Sequence, residues 1–306
     1  MRRYTQPLST TDATHQNHVL AGALCMCIAM AGGASIDVAA KSLAPDYSTA
    51  QIVLLRSAFA VPLVFAIVWH QVGLSALLNA GWKWQLWRGL LTAGANFGFF
   101  YGLGFVPLVT ALMLAYVSPV LIVLLAKPML GESLSLRRLG GVLIGFVGVL
   151  VVIDPFSTLA TQNTDSAWIV EPGVLAILGS AVCWALLSIS NRQLAPSVSA
   201  PVLTFYTYPV ALVLAAVLTI DNWVMPVGWD WGLFAMAGIG SVLAHGFAAL
   251  AYRYAAAGVV APFEYTALIW LSLAGYFLFD EVPSEAVWIG GVAVILGGYI
   301  ALQARD

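Results

Sequence analysis

Apart from basic residues and Glu285 at the ends of apolar runs, three charged side chains stand inside long apolar stretches of this 306-residue sequence: Asp37, Arg56 and Glu264. An ionisable group in such a stretch costs about 2.5–3.5 kcal/mol on membrane-insertion scales, so each needs a reason to be there. Glu264 follows closely on Pro262. Its carboxyl can take up a proton and couple that uptake to the movement of another solute. It can also pair with a cationic group on a bound molecule, or act as a hydrogen-bonded acid that fixes helix packing. Arg56, with Gln51 and Ser57 nearby, offers a planar guanidinium suited to a carboxylate. A structural pair with Asp37 is the other reading. Asp37 lies one turn from the end of its apolar run, near interfacial water, where a structural role suffices.

Uncharged polar and aromatic side chains extend the set. Asn96 and His245 each stand alone in an apolar run, and Tyr101, Tyr116, Trp184, Tyr206, Tyr265 and Trp270 fall in mid-run. For any one aromatic, packing against lipid is the commoner fate. For His245, so is a hydrogen bond within the core. Trp82, Trp84 and Trp87 beside Lys83 and Arg88, and Trp223, Trp229 and Trp231, read as interfacial belts. Nothing here assembles a catalytic centre. Among the other histidines, His15 and His18 are near the N-terminus and His70 closes an apolar run. No phosphate-binding loop is present. Cys25, Cys27 and Cys183 have neither metal-ligand spacing nor a disulfide framework, and they read as packing residues. No metal or cofactor is implied. A net charge of −2 gives no reason to expect a nucleic-acid partner.

The elements that position these residues follow from composition. Hydrophobic residues make up 61% of the chain and charged residues 8%, against about 25% charged in a soluble domain. Such an exterior is wetted by lipid. Apolar runs at roughly 19–39, 50–70, 86–106, 109–129, 137–153, 173–193, 200–220, 231–251, 260–279 and 285–303 predict an all-α integral membrane protein of ten transmembrane helices. If the N-terminus is cytoplasmic, the inner ends and tails collect ten of the twelve Lys and Arg, leaving Lys41 outside and Arg56 within a span. Pro62, Pro119 and Pro209 interrupt spans and can kink them. Gly94, Gly98, Gly102, Gly145 and Gly148 suit close helix approach. Ser135 and Ser284 are expected N-caps.

The two halves resemble each other. An offset of 149 pairs Tyr265 with Tyr116, and an offset of 151 pairs Gly22 with Gly173 and Lys41 with Arg192. Five helices per half force the second copy to insert upside down. The expected organisation is a cytoplasmic tail (1–18), a first five-helix repeat (19–153), an extracytoplasmic linker (154–172) and a second, inverted repeat (173–303), with both termini cytoplasmic. Inverted repeats are the mark of alternating-access carriers, whose substrates bind near the midplane between repeats.

Ser118-Pro119, Leu130-Gly131-Glu132-x-Leu134-Ser135 and the glycine-rich GGVLIGFVGVLVV end the first half. Ala261-Pro262-Phe263-Glu264-Tyr265-Thr266-Ala267-Leu268, Phe279-Asp280-Glu281-x-Pro283 and GGVAVILGGYIAL end the second. From Val19 to Leu302 the chain resembles the EamA family of the drug/metabolite transporter superfamily. Gly32-Gly33 departs from that pattern where a tryptophan is usual, whereas Trp184-Ala185 keeps it. The resemblance implies a secondary transporter of a small organic metabolite, such as an amino acid or derivative, or a nucleoside- or vitamin-like compound. It implies that the helices of Tyr116 and Tyr265 line the central cavity, and it suggests a bacterial inner membrane. Protons are a candidate coupling ion through Glu264. A passive channel or facilitator and an integral membrane enzyme are the alternatives.

Overall fold

Inside a bilayer, a backbone must satisfy its own N–H and C=O groups, and a single apolar segment does so as a helix. The computed structural model describes residues 10–105, 108–132, 135–153, 172–279 and 285–303, and among them every regular element is helical. The first nine residues of the expected tail, all but the last residue of the expected 154–172 linker, and the Asp280–Ser284 stretch lie outside the described residues.

The first half holds α1 (Thr10–Leu43), α2 (Thr49–Gln71), α3 (Ser75–Leu78), α4 (Trp82–Leu103), α5 (Leu108–Ala115), α6 (Ser118–Leu130) and α7 (Leu136–Ile153). The second holds α8 (Pro172–Leu194), α9 (Ala200–Phe205), α10 (Pro209–Thr219), α11 (Asp230–Tyr254), α12 (Ala257–Val260), α13 (Ala267–Phe279) and α14 (Glu285–Leu302). Tight 3-10 turns cover Ile220–Asn222 and Ala261–Thr266. Helix α1 starts well before the apolar run, because Thr10 to His18 contain neither Gly nor Pro to stop it.

Among the described residues, seven helical stretches are long and apolar enough to cross a membrane, and they begin at His18, Thr49, Pro172, Ala200, Asp230, Ala257 and Glu285. Helix α4 has the length, but Arg88, Asn96 and its glycines dilute its hydropathy. The fourth apolar run is divided between α5 and α6.

Prolines decide where runs break. Pro119 and Pro209 each sit in the first turn of a new helix, where a missing N–H costs nothing. Pro62 is absorbed within α2 without a break. Pro262 opens the 3-10 segment that carries Glu264.

The packing repeats with the halves exchanged. Helix α1 lies along α11 and α8 lies along α4, while α7 pairs with α14. Small residues allow these approaches, since a Cβ on Gly32 would fall 2.7 Å from the Gly240 carbonyl, and one on Gly102 the same distance from that of Gly173. Cys183 packs against Gly94, as a core filler does.

Each end of the bundle has its own fastenings. At one end Gln51 brackets Val224, donating to its carbonyl and accepting from its N–H, and the Tyr47 hydroxyl donates to Asp230 at 2.6 Å. The other end is basic. There Gly131, at φ 70°, closes α6 in a left-handed turn and sends the chain back on itself. Glu132 is thereby placed to accept from Arg192 Nε at 3.1 Å and from the Ala257 N–H at 3.2 Å. Arg192 also donates to the Tyr252 carbonyl. One ion pair thus ties α6, α8, the end of α11 and the start of α12 together. Ser135 caps α7 through the Arg137 N–H.

Candidate functional site

Three of the apolar helices carry a polar stripe at helical spacing. On α4 it runs Gln85, Arg88, Thr92, Asn96; on α8, Ser180, Trp184, Ser188, Asn191; on α11, Ser241, His245, Tyr252. Steps of three, four or seven keep such residues on one face. All three faces turn inward, toward a narrow cavity whose wall includes Met26, Arg88, Trp184, Asn191, His245 and Glu264. The cavity has room for about one water.

Glu264 sits on the 3-10 segment, whose tighter winding turns both Glu264 and Tyr265 into the interior. The carboxyl is only 5% exposed. One oxygen accepts from the Tyr252 hydroxyl at 2.7 Å, the other from the Trp184 indole N–H at 3.3 Å. Both donors are neutral, and no cation is within ion-pair distance among the described residues. Tyr265 donates to the Tyr116 carbonyl at 3.3 Å, and the two rings lie 6.1 Å apart. That carbonyl stands at the break between α5 and α6, where Pro119 removes a backbone donor. Gly145 on α7 makes room for the Tyr265 ring, since a Cβ there would lie 2.6 Å from it. The repeat mates therefore fasten the two broken segments to each other beside Glu264.

Arg56 is 9% exposed and donates to Asn96 Oδ1 at 3.2 Å; Asn96 in turn donates to the Thr92 carbonyl at 2.7 Å. Asp37 is exposed and close enough to Arg56 to feel its charge. The two form no ion pair. His245 shares a hydrogen bond with the Ser241 carbonyl through Nδ1 at 3.0 Å, and its ring lies 6.1 Å from Trp184 and 5.7 Å from Tyr208.

The expected residues thus divide. Glu264, Tyr265, Tyr116, Trp184 and His245 come together, and Arg56 with Asn96 lies on the adjoining side. Tyr101 and Trp270 do not join them. Tyr101 is 57% exposed and packs its ring at a tilt against Phe105, and Trp270 is exposed on α13. Tyr206 is engaged elsewhere, donating to the Leu77 carbonyl at the basic end.

Two residues escaped the sequence reading. Tyr252 sits next to Arg253 at a helix end and looks like a belt residue. Arg88, flanked by tryptophans, looks the same, yet it is 1% exposed. Its guanidinium donates to Ser190, Gln85, the Leu203 carbonyl and Asn191 at 2.6–3.1 Å. These acceptors are all neutral. The polar stripe on α4 was the available signal.

The two halves of the chain thus meet at a broken, polar-lined interface. A model of the EamA-like transporter family matches residues 20–154 and matches again at 171–303. The chain belongs to that family. The chain is 29% identical to the pseudopaline exporter CntI of Pseudomonas aeruginosa over 259 residues, covering 84% of this chain and 87% of the exporter. It is 24% identical to an S-adenosylmethionine uptake transporter of Rickettsia felis, with 88% and 87% of the two chains covered. It is 28% identical to a riboflavin transporter of Rhizobium johnstonii, with 97% and 95% covered. A protein of known crystal structure shares the fold at TM-score 0.78 and 23% identity, covering 92% of this chain and 96% of its own. As an EamA-like chain with membrane-spanning helices along its length, this is a multi-pass membrane protein. Its relatives are named for export in one case and uptake in another, so family membership fixes neither direction nor cargo.

Proposed function

We propose that this EamA-like protein is a secondary transporter that moves a small organic metabolite by alternating access, with Glu264 at the coupling centre. Ten crossings in two inverted groups of five, with both termini cytoplasmic in a bacterial inner membrane, is the topology that goes with this reading. The clustering of basic residues at one end supports it, as does the exchange of helix partners between halves.

The observation that carries the reading is the setting of Glu264. It is a buried carboxyl on a broken segment, held only by neutral donors, where the two halves meet. A proton or a cationic group of the cargo supplies the positive charge that the carboxyl's own partners lack. The relatives' different cargoes leave an amino acid or derivative, a nucleoside-like compound and a vitamin-like compound all within range. The narrow cavity and the fastened basic end favour a carrier over an open channel.

Purified protein in liposomes tests this. Wild type is expected to saturate and to show counterflow of labelled cargo. Glu264→Gln is expected to lose pH-driven accumulation at least tenfold while keeping its fold. Unsaturable flux in wild type, or wild-type pH dependence in the Gln variant, sinks the assignment.

A further inference from the structure

Four buried polar atoms close to the Glu264 cluster have no hydrogen-bond partner: Arg56 Nε, Tyr208 Oη, Ser241 Oγ and His245 Nε2. They come from three elements, namely α2, the break between α9 and α10, and α11. Helices α2 and α11 touch at this level, since a Cβ on Gly238 would lie 3.1 Å from the Arg56 carbonyl. Ser241 and His245 follow Gly238 at helical spacing on the same face. The Tyr208 and Ser241 hydroxyls are close neighbours.

Buried polar groups are nearly always satisfied, and a cluster of exceptions calls for a missing partner. The chemistry of the four atoms says what that partner is. A carbonyl only accepts, so the Ser241 carbonyl fixes the hydrogen of His245 on Nδ1 and leaves Nε2 as a lone-pair acceptor. Arg56 Nε and the two hydroxyls are donors. Arg56 is also a cation more than nine-tenths buried that has no carboxylate within ion-pair distance. Asp37 is near enough to feel that charge but does not pair with it, and a buried charge without a bonded counterion is costly to keep. Donors around a lone cation make a site for an oxyanion, and a guanidinium with spare N–H groups is well suited to a carboxylate.

We propose that Arg56, Tyr208 and Ser241 form a carboxylate-binding subsite for the transported molecule, with His245 Nε2 accepting from an N–H or O–H beside that carboxylate. The proposal rests on the transport reading and narrows it. The cargo carries a carboxylate at the α2–α11 side, and its remaining part reaches past Trp184 towards Glu264. Asn96 positions the guanidinium.

The test uses the full chain in detergent, with sodium acetate as the minimal carboxylate and acetamide as its uncharged analogue, at constant ionic strength. Acetate is expected to raise the unfolding midpoint of wild type, while acetamide leaves it unchanged, because a ligand that binds only the folded state stabilises it. Arg56→Gln is expected to weaken the acetate response at least tenfold and Tyr208→Phe several-fold, while Tyr101→Phe, exposed and apart from the cluster, keeps it. Should Arg56→Gln fail to fold, Ser241→Ala with its several-fold loss carries the same test. No response in wild type, an equal response to acetamide, or stabilisation by inorganic phosphate alone overturns the carboxylate subsite. Counterflow separates the two readings. An acetate response with no saturable transport rejects the carrier and leaves the subsite, whereas transport without an acetate response does the reverse.

Discussion

The Glu264 and Arg56 clusters share a wall at Trp184 and His245, yet they are built on opposite terms. Around Glu264 both carboxyl oxygens have donors within 3.3 Å, and Tyr265 next to it is hydrogen-bonded to Tyr116. Around Arg56, four buried polar atoms lack partners. A buried polar group left unpaired costs about 1–3 kcal/mol relative to one that is satisfied. One cluster therefore satisfies its polar groups from the protein itself and the other does not. A complete cluster holds its geometry by itself. An incomplete one gains most when a ligand arrives, and that differential is what lets a ligand shift a conformational equilibrium.

The contrast is broken most easily by removing the centre of each cluster. Glu264→Leu leaves the Tyr252 hydroxyl and the Trp184 N–H buried without an acceptor, and is expected to lower stability by about 2–5 kcal/mol. Arg56→Met gives up one hydrogen bond, to Asn96, but also removes a buried charge that no carboxylate bonds, so stability is expected to stay within about 1 kcal/mol of wild type. Unfolding of purified protein in detergent measures both. Equal losses in the two variants would mean that the clusters are alike.

A smaller effect sharpens the same point within the complete cluster. Tyr252→Phe keeps the ring and removes only the 2.7 Å donor to Glu264. A loss of about 1–2 kcal/mol is expected, in line with a hydrogen bond to an acid in a dry interior. An unchanged midpoint would show that Ser188 or a water takes over as donor.

Much of this arrangement was legible in the sequence, and the reasons are physical. Apolar runs imply helices because lipid leaves the backbone no other partner, and each expected run is occupied by one helix or by a helix broken at its polar or proline residues. The 149-residue offset picked out Tyr116 and Tyr265 before any coordinates, since duplicated halves put repeat mates in like positions. What stayed hidden depended on which way a side chain turns. Arg88 and Tyr252 lie in segments whose tryptophans and arginines suit an interface, and only packing turns them inward. Tyr208 and Ser241 are single hydroxyls in apolar runs and carry little signal alone. The spacing of Gln85, Arg88, Thr92 and Asn96, read as one face rather than as separate residues, would have pointed to the interior. Tyr101 and Trp270 illustrate the converse, because mid-run aromatics serve lipid contact as readily as a cavity.

The smallest expected effect is the most discriminating. Tyr208→Phe preserves the ring that lies 5.7 Å from His245 and deletes a hydroxyl that has no partner. In wild type that hydroxyl is buried with no protein partner within hydrogen-bond geometry. Its removal is expected to leave the cargo-free midpoint unchanged or to raise it by up to about 1 kcal/mol. Tyr252→Phe, the same chemical change seven residues from His245 along α11, moves the midpoint down. Two identical deletions with opposite signs would follow only if the clusters differ in how they are satisfied. A fall of more than about 1 kcal/mol in Tyr208→Phe would mean that Ser241 or a buried water already pairs with the hydroxyl. The Arg56 side would then be as complete as the Glu264 side, and the case for a ligand there would be lost.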